Sequence, residues 1–339
     1  MKTFRRLLGT LALFISLGVS AQDYFNHMDL GLSISSTGIG ADISMPVGDY
    51  VRLRTGFTYM PRFTFNSNFN VNFMGQVSDD KLRRMKDMMT YFTGEPMKDN
   101  IDMQMRPSWA QFKFLVDIMP FKNNKHWNVT LGFYAGPSTI GEALNDPSGN
   151  TTLSGVRMYN SMYIKDCKGE PMIQYERSDG TISRFDLQIM DGRLEEMGMM
   201  GAHMGYFPDG SKAVMVPNGD NQAKAEMTIC KIRPYVGFGY TTALSRDHRF
   251  NMAIDAGVMF MGGSPHVYVD NVYHVSKDDD YDMIYWDDEA GKWQDKPAER
   301  IDLTRDVTDI PGKVGDMVST IKKFKCWPVL SITFTHRLF

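Results

Sequence analysis

The densest group of soft metal ligands in the chain is Glu-Met-Gly-Met-Met-Gly-Ala-His-Met, which brings Met197, Met199, Met200, His203 and Met204 together. Thioether and imidazole groups suit soft copper. The chain carries 27 methionines, however, and methionine also fills irregular gaps in a core, so packing is the preferred reading. A second group is acidic: Asp278, Asp279, Asp280 and Asp282, then Asp287, Asp288 and Glu289. Oxygen ligands suit calcium, but the spacing does not fit an EF-hand loop, and a solvated charged face accounts for it. Tyr281, Tyr285, Trp286 and Trp293 are interleaved with these acids. Aromatic side chains on an exposed loop suit recognition of a protein or a glycan. The histidines are His27, His126, His203, His248, His266, His274 and His336. None has a nucleophile motif or a paired acid at a telling spacing. His266 and His274, closest to the acidic tract, are the first candidates for catalysis. The reading is nevertheless of a non-enzyme with no cofactor and no metal.

The elements that must hold these residues are strands. Residues 327–339 alternate apolar Leu330, Ile332, Phe334 and Leu338 with Ser331, Thr333, Thr335 and Arg337, a two-residue period with one greasy face. The same period predicts strands near 27–36, 38–46, 50–73, 108–120, 127–136, 230–243 and 249–262. Short polar turns near 46–49, 121–126 and 244–249 alternate with long inserts at 74–106, 137–229 and 263–325. A short helix is expected within 79–92, and hairpin turns at 166–169 and 178–181.

Eight strands with every long connection on the same side, where only the first connection, around Thr37, is short, predict an all-β fold: an eight-stranded antiparallel transmembrane β-barrel with long extracellular loops. In lipid the apolar face points outward, because only a closed barrel satisfies its own backbone. Asp29, Asp42, Arg52, Arg54, Lys113, Asp117, Arg233 and Asp255 then point inward, where opposite charges can pair and plug a lumen just wide enough for side chains. The interior glycines are expected to make room for the long basic side chains.

Residues 1–21 read as a signal peptide: Lys2, Arg5 and Arg6, an apolar run, then small residues before Gln22. A formal net charge of -3 speaks against nucleic acid as a partner. Cys167, Cys230 and Cys326 allow one disulfide, between Cys230 and Cys326 at one rim, or three free thiols.

Gly18 to Gln22 (Gly-Val-Ser-Ala-Gln), Arg233 to Tyr240 (Arg-Pro-Tyr-Val-Gly-Phe-Gly-Tyr) and the final Thr-His-Arg-Leu-Phe resemble the small outer-membrane β-barrels of Bacteroidetes-type bacteria, OmpA/OmpX-like or PorT-like in form. That resemblance implies a place in the outer membrane with its lipid as partner. It also implies a role for Phe339 in the C-terminal signal read by the barrel-assembly machinery. The functional expectation is a non-catalytic surface protein, binding or structural, whose loops meet an extracellular protein or glycan. The alternative is a component of an outer-membrane transport or secretion complex.

Overall fold

The computed structural model describes residues 27–70, 100–145, 151–170, 198–276 and 282–338, with Ile173–Glu176, Ile182–Phe185, Leu194 and scattered positions between 83 and 98. In chain order the strands are β1 (Asp29–Ser35), β2 (Gly38–Val47), β3 (Val51–Tyr59), β4 (Phe65–Asn70), β5 (Asn100–Pro107), β6 (Ala110–Ile118) and β7 (Trp127–Ala135). There follow β8 (Thr139–Asn145), β9 (Ile173–Glu176), β10 (Ile182–Phe185), β11 (Ala202–Tyr206), β12 (Lys212–Met215), β13 (Lys224–Thr228) and β14 (Ile232–Ala243). The last are β15 (Phe250–Phe260), β16 (His266–Val275), β17 (Ile284–Asp287), β18 (Lys292–Asp295), β19 (Glu299–Asp302) and β20 (Cys326–Arg337).

Strands β1, β2, β3, β6, β7, β14, β15 and β20 close into an antiparallel barrel. The seam is β20 on β1, with Phe334 opposite Leu32 and Ile332 opposite Ile34. Burial follows the two-residue period: β14 alternates exposed and buried from Ile232 to Tyr240, because successive side chains leave opposite faces of the sheet.

The inserts do not hang as separate loops. They build a second sheet, in the order β11-β12-β16-β13-β8-β5-β4 with β19 paired to β16. Its buried core includes Leu153, Val156, Tyr159, Met200, Val272 and Ile284. We call this region the cap, and the opposite mouth of the barrel the turn end. Among the described residues, the helices Thr151–Cys167 and Gly312–Lys323 pack into the cap. The first buries Leu153, Val156, Tyr159 and Tyr163; the second buries Val318.

Two expectations about strands and turns are corrected. The single long strand over 50–73 is two strands, β3 in the barrel and β4 in the cap. Pro61 stands between them and has no N–H to continue a ladder. The hairpin expected at 166–169 is instead a helix end: Lys168 donates to the Ile164 carbonyl (3.1 Å), Glu170 donates to Lys165 (2.8 Å), and Gly169 takes a φ of 67°. Glycine adopts that left-handed conformation without penalty, which is why helices stop there. Of the two cysteine arrangements left open, the structure has the three free thiols. Cys230 donates its N–H to Met261 (3.2 Å) and Cys326 faces Phe260, so the end of β15 stands between them. Two strand spacings, roughly 10 Å, exceed the reach of a disulfide.

The turn expected at 178–181 lies outside the described residues, although β9 and β10 on either side of it pair antiparallel. Of the helix expected within 79–92, Arg83, Lys86, Asp87 and Thr90 are helical; the rest lies outside the described residues, as does the signal segment.

Candidate functional site: a filled lumen beneath a folded cap

The outside of the barrel is apolar. Leu32, Ile34, Phe57, Ile232, Phe238, Leu330 and Phe334 are each more than half exposed, Leu32 at 68% and Ile34 at 69%. Such a surface is incompatible with water and matches a bilayer. Aromatic side chains mark both edges. Trp127 meets Tyr240 edge-on at 5.0 Å near the turn end, where Lys125 lies over the Tyr50 ring at 5.6 Å. Tyr59 and Phe260 occupy the cap-side edge. This is the girdle pattern of membrane barrels.

Inside, the structure places all eight charged residues singled out above in the lumen. Seven of them are buried and Arg52 is partly so. Arg54 is the hub. Its Nη1 donates to Asp255 Oδ2 (2.8 Å) and its Nη2 to Asp255 Oδ1 (3.0 Å) and Asp117 Oδ1 (2.8 Å). Arg52 donates through Nε to Asp117 Oδ2 (2.8 Å), and Thr130 donates to Asp117 Oδ1 (2.8 Å). Fork-like guanidinium contacts to carboxylates are the strongest class of side-chain hydrogen bond. Lys113 and Asp42 form a second pair at 2.7 Å. Among the described residues Arg233 meets carbonyl and amide oxygens and no carboxylate. It donates to the Cys230 carbonyl (2.8 Å), to Gln111 Oε1 (2.9 Å) and to the Pro137 carbonyl. Asp29 sits at the turn-end rim with His27 (3.5 Å) and Arg337 (3.8 Å).

Above the charged layer, Leu115, Tyr134, Tyr235, Met259 and Val329 pack together. Trp109 then lies edge-on to Trp327 at 5.2 Å and donates from Nε1 to the Thr37 carbonyl (3.0 Å), closing the cap end. The interior glycines do not accommodate the long basic side chains. A Cβ on Gly56 would fall 2.2 Å from Asp42 Oδ1, one on Gly239 2.4 Å from Asp255 Oδ1, and one on Gly237 2.3 Å from the Tyr235 hydroxyl. They make room for carboxylates that lean over from the cross-strand neighbour, Asp42 opposite Gly56 and Asp255 opposite Gly239, and for the Tyr235 ring two residues earlier on the same strand as Gly237.

In the cap, Met199, Met200 and Met204 are core residues; Met197 lies outside the described residues. His203 packs edge-on against Tyr206 at 4.8 Å, and burial lowers its affinity for a proton. Among the described residues no group of three His, Cys, Asp or Glu side chains is placed to hold a metal ion. His266 on β16 meets Asp302 on β19 at 2.7 Å, and Thr304 donates to the other oxygen of that carboxylate at 2.7 Å. Burial would raise the Asp302 carboxyl, but the Thr304 and His266 hydrogen bonds together outweigh it and hold the group below the usual carboxylate range. Thr304 approaches the same ring nitrogen that faces Asp302, so the three do not form a nucleophile–base–acid relay. His274 stacks on Phe207 at 3.6 Å and faces Glu299 at 3.4 Å.

The aromatic residues at 281–293 fall on a hairpin of β17 and β18. Trp286 stands opposite Trp293, edge-on at 5.4 Å. Trp293 packs against the cap core, while Tyr285 and Trp286 are exposed. Asp287 is a turn residue: it accepts the N–H groups of Glu289 (3.0 Å) and Ala290 (2.9 Å). Tyr281 and Phe339 lie outside the described residues. Sequence reasoning missed an apolar cleft of ≈ 80 Å³ between the inner face of the cap sheet and the second helix, walled by Met103, Met105, Met204, Met215 and Met317. The signal was present as alternating methionines on β5, Met103 and Met105, but the facing wall comes from residues more than a hundred positions away.

No family model and no curated protein matches the chain. Solved structures similar to it include CarO of Acinetobacter baumannii, 11% identical with a TM-score of 0.37, covering 91% of this chain and 96% of that one. CarO2 of the same organism is 13% identical at 0.37, covering 92% and 98%. A major outer membrane protein from Thermus thermophilus is 8% identical at 0.30, covering 92% and 98%. At such identities the architecture rests on this chain's own strand pairing.

Proposed function

We propose that this protein is an integral outer-membrane barrel of the Bacteroidetes-type, OmpA/OmpX-like kind, whose work is done by its cap, outside the cell, as a non-catalytic binding surface. The observation that carries this reading is a contrast in filling. The lumen is crossed by the Arg52–Asp117–Arg54–Asp255 network, whereas the inserts converge on one sheet with a core of its own. Long segments that only joined strands would not need a core. The exposed Tyr285 and Trp286 and the methionine-walled cleft offer contacts to a protein or glycan partner, and methionine surfaces adapt to varied apolar groups. Lipid of the outer membrane surrounds the barrel, and Phe339 belongs to the signal by which the assembly machinery inserts it.

Planar-bilayer recording tests the division of labour. The purified barrel is expected to give no unitary conductance steps. Steady conductance from the intact chain would move the function into the lumen and favour the alternative, a component of a transport or secretion complex.

A further inference from the structure

Cations at the two mouths of the barrel keep different company. At the turn end they sit with acids: Lys125 meets Asp49 at 3.4 Å and Arg249 meets Asp247 at 3.8 Å. At the cap-side edge Lys231, Lys322, Lys323 and Lys325 are all exposed, and among the described residues none of the four meets a carboxylate. The segments that carry and flank them, residues 228–246, 256–269 and 317–339, contain no aspartate or glutamate.

Backbone contacts hold these lysines around the end of β15. Gly136 donates to the Lys231 carbonyl (3.0 Å), Cys230 to the Met261 carbonyl (3.2 Å), and Met261 to the Lys325 carbonyl (3.0 Å). Lys231 and Lys325 therefore stand on either side of one strand end, two strand spacings or roughly 10 Å apart. Ser264, just beyond that end, donates from Oγ to the Lys322 carbonyl (2.7 Å), which ties the last turn of the helix Gly312–Lys323 to the same edge. Lys322 and Lys323 complement the carbonyl end of that helix. Lys231 and Lys325 belong to no helix, so the helix dipole does not account for the set. The lipid-facing wall begins where the lysines stop: Ile232 is 65% exposed, Phe260 45% and Phe324, between Lys323 and Lys325, 48%. A lysine in this position lays its stem along the apolar wall and keeps its ammonium at the headgroup level.

The geometry points to a binding surface for phosphate-bearing lipid headgroups, in which the four lysines hold the phosphate of a lipid whose acyl chains lie against Ile232 and Phe260. An ammonium meets phosphate as a point charge, and basic side chains gathered at one membrane edge add their attractions. Continuity with the apolar wall favours a lipid over a soluble acidic partner, because both parts of the ligand are met in one place. The surface is separate from the cap's binding role and rests only on the barrel wall facing lipid.

Native mass spectrometry of the full-length chain in detergent tests it. Dioleoyl phosphatidic acid and dioleoyl phosphatidylcholine are offered in equal amounts; they share acyl chains and differ in headgroup charge. The parent is expected to retain phosphatidic acid over phosphatidylcholine by roughly fivefold. Lys231→Gln, Lys322→Gln, Lys323→Gln and Lys325→Gln combined should bring that ratio below about twofold. Lys231→Gln with Lys325→Gln should fall between the two, and Lys122→Gln with Lys125→Gln at the turn end should match the parent. Heat-modifiable gel migration reports a closed barrel in each sample, and the Lys231/Lys325 pair carries the test where the fourfold variant loses it. Inorganic phosphate alone, at the lipid's concentration, should leave no adduct; retention equal to that of phosphatidic acid overturns the lipid as the source. A parent without the preference, or closed variants that keep it in full, overturn the surface and leave the lysines to a soluble partner.

Discussion

Barrel and cap obey the same strand periodicity and use it in opposite senses. In the cap, alternation turns apolar residues inward, so Val267 and Val269 are buried while Arg300 reaches the surface and pairs with Glu226. In the barrel, Leu32, Phe238 and Leu330 face out and Arg54, Asp117 and Asp255 face in. The solvent decides which face is which. Where lipid surrounds the wall, the hydrophobic term between wall and surroundings vanishes, and the interior is left to ion pairs and hydrogen bonds. Stability in one region therefore depends on apolar burial, and in the other on matched polar groups.

The largest test of that contrast is Arg54→Ala. It leaves Asp117 with Arg52 and the Thr130 hydroxyl and strips Asp255 of its bidentate partner, and removing one member of a buried ion pair costs about 3–5 kcal/mol. The barrel is expected to unfold at clearly lower urea in lipid, while limited proteolysis of the cap changes little. A cap that loosens first would mean the regions are not energetically distinct. Next comes Ile254→Lys, on the lipid face of β15. A lysine near mid-bilayer costs roughly 2–4 kcal/mol, so the urea midpoint should fall in bilayers and much less in detergent, where the headgroup boundary is close. An equal loss in both media would say that Ile254 does not face acyl chains.

The smallest effect belongs to the cap. Asp302→Asn weakens the contacts to His266 and Thr304 and should cost about 1.5–3 kcal/mol, the scale of hydrogen bonds to a charged group. Because the folded carboxyl lies below its unfolded value, its contribution is present above the ordinary aspartate pKa and is lost as pH falls through the folded one. Cap stability in the parent should therefore decline on acidification below about pH 4, and the Asn variant should show a shallower decline. Parallel profiles would remove Asp302 from the acid response.

Much of the barrel could be read from residues next to one another in the chain. The alternation in β14, from Ile232 through Tyr240, identifies a two-faced strand without any partner. The inward set, Asp29 to Asp255, follows from the same phase once lipid is assumed outside. The cap was not legible in this way. Its sheet joins β5, β8, β13 and β16 from three separate inserts, and β13, Lys-Ala-Glu-Met-Thr, is half-buried along its whole length with no alternation to read. Short strands carry too little pattern to distinguish them from loops.

The sequence by itself therefore determined the faces of the barrel strands, their number and the sign of each inward charge, because a two-residue period is a local property of an extended chain. Only the tertiary structure decided which charges meet. Arg54 and Asp255 are 201 positions apart, and their contact depends on the stagger with which eight strands close. It also decided that the inserts share one core and that β15 separates Cys230 from Cys326. Register between strands is set by the sum of many cross-strand contacts, and no single segment carries that information.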